Sequence, residues 1–137
     1  MRYLCVLVRK QLGDIMSFTE AVESFFRKYA DFSSRSSRSE YWFAYLFIMV
    51  VALGLGFLEG LLELFPESDE SILALIFQVG IIIPSFAIIA RRLHDTNKSG
   101  WWYLIAFTII GIIPLIYWLC KAGDDLGNKY GPNPLEN

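Results

Sequence analysis

The chain's one histidine, His94, stands beside Asp95 in the stretch ARRLHDTNKSGWWYLI, residues 90–105, with Arg91, Arg92 and Lys98 around it. An imidazole next to a carboxylate is raw material for general acid–base work. Adjacent residues on a helix do not face each other, however, so the two are not a ready dyad. A nucleophile within hydrogen-bond reach would also be needed. No cysteine is an expected partner, because Cys120 should lie across the bilayer from His94; Cys5 and Cys120 on opposite faces also argue against a disulfide between them. Neither cysteine has metal-ligand spacing around it, and no G-x-S-x-G, H-E-x-x-H or P-loop pattern occurs. No catalytic residue, cofactor or metal is therefore assigned. The expectation is a non-enzyme, with an enzyme acting on lipid headgroups through His94 and Asp95 as an alternative.

A second group of charges, Arg35, Arg38 and Glu40, comes just before the first long apolar run. It belongs on the same side of a membrane as residues 91–100. The expectation is one cluster of Arg35, Arg38, Glu40, Arg91, Arg92, His94 and Asp95. Its pairs would be Glu40 with Arg91 or Arg92, and Asp95 with Arg38. Trp42 and Trp101 would flank it at headgroup level, and surplus positive charge would face anionic lipid. Residues 91–100 then form a polar hairpin link, with Asp95, Asn97, Ser99 and Gly100 supplying its turn. Glu59 and Glu63 lie about 27–33 Å along a helix from Tyr41, so they read as a solvated outer helix end rather than a proton relay. Asp124 and Asp125 have too few oxygen neighbours for a calcium loop.

What must position these groups is apolar. Hydrophobic residues make up 55% of the 137, above the roughly 45–50% of a soluble domain, and they come in blocks. The blocks are 41–65, 72–90 and 101–120, each long enough to cross about 30 Å of hydrocarbon as a helix. They lack the polar outer face of a soluble helix. Tyr41, Trp42 and Tyr45 open the first, Trp101, Trp102 and Tyr103 open the third, and Tyr117 and Trp118 close it, as interfacial aromatics do. Lys and Arg number seven before Tyr41, three in 91–100 and two after Cys120, while the link PESDES is purely acidic. The positive-inside rule puts the N-terminus and 91–100 in the cytoplasm and PESDES outside. Three spans then carry the tail, 121–137, outside as an irregular cap.

Ahead of the spans, Ser17 and Glu20 form a capping box. Phe18, Ala21, Val22, Phe25, Phe26, Tyr29 and Phe32 recur at helical spacing, so Ser17–Phe32 reads as an amphipathic helix on the membrane surface. Serine-rich 33–40 is a basic hinge, and 1–16 reads as an upstream extension. Ala52, Gly56 and Gly60 make a small-residue ridge for close helix packing, within the chain or with a second copy. Pro84 and Pro114 should each remove a helical hydrogen bond, freeing the carbonyls of Gly80 and Ile110.

Three motifs together carry a family resemblance: FSSRSSRSEYW (32–42), RRLHDTNKSGWW (91–102) and the tail pattern Gly123-x-x-x-GNKYGPNP. In order and spacing they resemble the DUF805 family of small bacterial inner-membrane proteins, over about residues 17–134. Ser34 stands where that family commonly has glycine, which questions a positive-φ turn there. The resemblance implies a bacterial inner-membrane location and no established activity.

The sequence thus reads as an all-α integral membrane protein, an interfacial helix followed by three transmembrane helices. Its expected role is binding lipid, anionic lipid in particular, or a membrane partner such as a second copy. An oligomeric small-solute channel or transporter accessory subunit is the alternative, and nucleic acid is not an expected partner.

Overall fold

The computed structural model describes residues 16–64 and 71–135. The expected upstream extension, Cys5 and most of the acidic link lie outside the described residues. The fold is helical. Helix α1 is Phe18–Arg27, α2 is Arg38–Leu62 and α3 is Ile72–Asp95. A 3-10 helix, Gly100–Phe107, is followed by α4, Ile112–Cys120.

The capping box forms in both directions. Glu20 Oε2 accepts from Ser17 N at 2.8 Å, and Ser17 Oγ accepts from Glu20 N at 3.3 Å. Helix α1 stops at Arg27, short of Phe32, because a competing turn follows. Asp31 accepts backbone N–H groups of Ser33 and Ser34 at 2.9 and 3.2 Å, and both serine hydroxyls. Partial burial opposes charge on Asp31, but those four bonds hold its carboxyl well below the ordinary carboxylate range. Among the described residues only Glu63, Asn97 and Gly131 have positive φ, so the turn at Ser34 does not need glycine. The phenylalanine face of α1 is divided. Ala21, Ser24 and Phe25 are buried in the bundle, whereas Phe18 and Phe26 stay exposed while meeting Phe43 and Phe47 edge-on.

Helices α2 and α3 are each long and apolar enough to cross a membrane. At their far end Glu59 is buried, not solvated. Its carboxylate accepts the N–H groups of Ile72 and Leu73 at 3.0 and 3.2 Å and the Ser71 hydroxyl. It thereby closes orphan donors at the start of α3. A Cβ on Gly56 would lie 3.8 Å from Ser71, so Gly56 packs within the chain, and one on Gly60 would meet nothing within 4 Å.

Helix α3 runs on to Asp95, five residues past the apolar block. Arg91–Asp95 are therefore helix, not hairpin link, and only 96–99 turn, with Asn97 left-handed at φ 57°. Pro84 sits inside α3 and its freed acceptor is used: the Tyr29 hydroxyl donates to the Gly80 carbonyl.

The third block departs most from expectation. It is not one span of 101–120 but a helical hairpin. The 3-10 leg covers about 16 Å at 2.0 Å per residue and α4 about 14 Å, each roughly half of a hydrocarbon core. Thr108 makes the bend. Its hydroxyl donates to the Ile105 carbonyl at 2.7 Å, and Gly111 N donates to the Thr108 carbonyl at 3.1 Å. A Cβ on Gly111 would strike the Ile105 carbonyl oxygen. Pro114 falls in the first turn of α4, where an N–H has no partner within the helix anyway. It therefore ends up helping to start a helix rather than breaking one. Trp102 and Trp118 pack edge-to-face across the legs at 5.5 Å. Both feet of the hairpin stand at the hinge end of the bundle, so the tail and Cys120 lie there too, not at the opposite end.

The Tyr29–Gly80 bond supplies a test. Tyr29→Phe is expected to cost about 1 kcal/mol in wild-type background and almost nothing in Pro84→Ala, where residue 84 regains the N–H that bonds Gly80. Thermal unfolding of the four variants in detergent measures this, and equal losses in both backgrounds would refute the pairing.

Candidate functional site

At the hinge end a group of charged side chains is buried. Glu40, Arg91 and Arg92 are fully buried and Arg35 and Asp95 nearly so. Glu40 Oε1 accepts from Arg91 Nη1 and from Ser24 Oγ, each at 2.8 Å, with Lys28 Nζ at 3.8 Å. Asp95 holds two guanidinium groups. Its Oδ1 takes Arg35 Nε at 2.9 Å and Nη2 at 2.8 Å, and its Oδ2 takes Arg92 Nη1 at 2.5 Å.

The remaining donors of those arginines go to the tail and its neighbours. Arg35 donates to the carbonyls of Asp124 at 2.6 Å and Leu126 at 2.9 Å. Arg92 donates to the carbonyls of Leu119 at 3.1 Å and Lys121. Asp124 N reaches the Asp95 carbonyl at 2.8 Å, and Asn128 Nδ2 reaches that of His94 at 2.9 Å. Gly123 lies so close to the Asp95 carboxylate that a Cβ there would overlap it. The cluster is thus a clasp joining α1, the hinge, α3 and the tail.

Glu40–Arg91 is a pair the sequence named. Asp95–Arg38 is not found: Asp95 pairs with Arg35 and Arg92, and Arg38 is exposed in the first turn of α2. Trp42 also stays outside, exposed and edge-on to Tyr41 and Tyr45. Three arginines face two carboxylates, and the remaining donors of Arg35 and Arg92 reach backbone carbonyls. Sequence reasoning missed Ser24, Lys28, Gly123, Asp124 and Asn128. The tail glycines and asparagine were visible as a motif, but nothing local linked them to residues some 30 positions earlier. Within the clasp, Glu40 Oε2 and Arg91 Nε and Nη2 have no hydrogen bond from the protein. That open corner makes the clasp a device for fixing geometry more than a source of net stability.

His94 and Asp95 face different ways. His94 Nδ1 lies 3.2 Å from the Ser34 carbonyl, and its ring stacks on Tyr130 at 3.8 Å and 5°. Beside that stack opens a cavity of about 470 Å³. Phe32, Phe86, Tyr103 and Leu104 make its apolar wall, Trp101 stands at it, and His94 and Tyr130 form its polar end. Trp101, expected at the cluster, is 79% exposed at this cavity instead.

The clasp predicts a contrast between neighbouring arginines. Arg35→Ala leaves Asp95 short of a buried partner and should cost about 3–5 kcal/mol, whereas Arg38→Ala should stay within about 0.5 kcal/mol. Chemical or thermal unfolding in detergent separates them, and equal losses would refute the clasp.

The family described as a protein of unknown function, DUF805, matches residues 29–132. Inner membrane protein YhaH of Escherichia coli (strain K12) is 35% identical over 109 residues, 79% of this chain and 90% of that protein. Inner membrane protein YhaI of the same strain is 32% identical over 112 residues, 81% of this chain and 92% of that protein. No solved structure matches. The hinge arginine, both carboxylates of the clasp and the tail that closes it all fall inside the matched stretch, and the chain belongs to the DUF805 family.

Proposed function

We propose that the protein is a non-enzymatic module of the bacterial inner membrane that holds a lipid molecule where hinge, clasp and tail meet. The open, aromatic-walled cavity beside His94 carries this reading. Its volume lies in the roughly 300–1,000 Å³ range of ligand sites, and its lining has the usual make-up of apolar walls with few polar groups. In a chain with two helices fit to cross a bilayer, a cavity walled by Phe86 and Leu104 is reached by acyl chains. The names of the relatives support the inner membrane as the location.

In this reading α2 and α3 cross the bilayer, α1 lies in the near interface against them, and the hairpin dips to half depth and returns. The basic residues before Tyr41 and in 91–100 put the hinge end in the cytoplasm by the positive-inside rule. The tail follows it there. A catalytic role for His94 and Asp95 finds no support, because both oxygens of Asp95 are occupied by guanidinium groups and the imidazole points elsewhere.

Two measurements test this. Lipid retained through detergent exchange should be seen by mass spectrometry with wild-type protein and largely lost with Leu104→Trp, which fills the cavity. Wild-type protein that retains none would sink the reading. In a background lacking Cys5 and Cys120, Lys129→Cys and Arg27→Cys should react with an impermeant maleimide from one face of the membrane and Leu64→Cys from the other. Lys129→Cys reacting together with Leu64→Cys would refute the returning hairpin.

A further inference from the structure

The cavity's polar end is specific about what it can take. His94 is only 7% exposed, and its Nδ1 faces the Ser34 carbonyl, which can only accept. The Nδ1 therefore carries the proton, and Nε2 of the neutral ring keeps its lone pair. That Nε2 looks toward Gly100, which has no side chain to cover it: a Cβ there would sit 3.6 Å away. At the cavity's polar end Nε2 is thus an acceptor open to a donor from a ligand.

Two more features give the ligand its shape and charge. From His94 to Phe86 the cavity follows α3 for about 12 Å, eight residues at 1.5 Å each. Its polar end stands at the clasp level and its apolar end lies deeper along the span, as a lipid lies in a leaflet. Lys129 Nζ stands 4.9 Å from the centroid of Tyr130, the ring that stacks on His94. A phosphate there would meet a cation not bound into the clasp. Building on the lipid-holding reading, we infer that the occupant is an anionic phospholipid whose headgroup carries a hydroxyl, of the phosphatidylglycerol type. Its hydroxyl donates to His94 Nε2, its phosphate lies by Lys129, and an acyl chain runs along Phe86 and Leu104.

The test compares two lipids of equal charge and identical chains, phosphatidylglycerol and phosphatidylmethanol, the second lacking a headgroup hydroxyl. Phosphatidylcholine is the neutral control. Full-length protein, stripped of lipid in detergent, is titrated with each and followed by tryptophan fluorescence, Trp101 being at the cavity. Phosphatidylglycerol should bind about ten-fold more tightly than phosphatidylmethanol. His94→Phe, which keeps a ring against Tyr130, should remove that preference. Lys129→Gln should weaken both anionic lipids alike, by about five-fold. Equal binding of the two anionic lipids to wild-type protein overturns the hydroxyl assignment and leaves a lipid site standing. So does a preference that survives in His94→Phe. Binding of none of the three lipids overturns the lipid-holding reading itself. The wild-type comparison needs no variant to fold.

Discussion

A carboxylate buried at a helix end is the constraint from which the rest of this architecture follows. Asp95 ends α3 with almost no access to solvent, where an unpaired charge would be driven to neutralise. Two guanidinium groups, one from its own helix and one from the hinge, pair with it. Each arginine brings further donors that also need acceptors once buried. Those acceptors are the carbonyls at the end of α4 and in the tail. Satisfying one carboxylate therefore recruits the hinge, the hairpin foot and the tail to the same place. Gly123 permits the close approach, since any side chain there would occupy the space of the carboxylate.

The same accounting runs through the apolar part. A helix crossing hydrocarbon has no water to complete its hydrogen bonding, and three breaks in this fold are met by side chains. Pro84 frees the Gly80 carbonyl and Tyr29 answers it. The start of α3 leaves orphan donors and Glu59 of α2 accepts them. The bend of the hairpin is closed by the Thr108 hydroxyl. The first two contacts link α1 to α3 and α2 to α3, and Thr108 also accepts from Gly111 N at the start of the second leg, so meeting local backbone demand also sets how the helices are arranged.

The clasp and the cavity divide the labour at the hinge end. The clasp buries its charges on internal contacts, while the cavity beside it presents an aromatic wall with His94 and Tyr130 at its polar end. Arg92 of RRLHD looks like part of a headgroup site in a linear reading but, with Arg35 of the hinge, it holds the tail in place, and the tail brings Tyr130 against His94. In the proposed lipid site, contact with the ligand falls to residues that the clasp positions rather than to the clasp itself.

The sequence alone determined whatever depends on neighbours a few positions apart. The Ser17–Glu20 box follows from a three-residue spacing, the two long helices from uninterrupted apolar length, and the free carbonyl at Gly80 from Pro84. Glu40 with Arg91 was legible because both stand where a span meets its flank. Tertiary structure decided the rest. Twenty apolar residues, 101–120, satisfy the length of a span whether they run straight or double back, and the choice fell to the close contact at Gly111 and the pull of Arg92 on Leu119 and Lys121. Which arginine meets Asp95 was likewise undetermined, because Arg35 and Arg38 are the same residue type three positions apart. Arg38 begins a helix and faces out, while Arg35 lies in the irregular hinge that runs across the end of α3. Side-chain chemistry is written in the sequence, but the direction in which a chain returns is fixed only by long-range contacts that bury it.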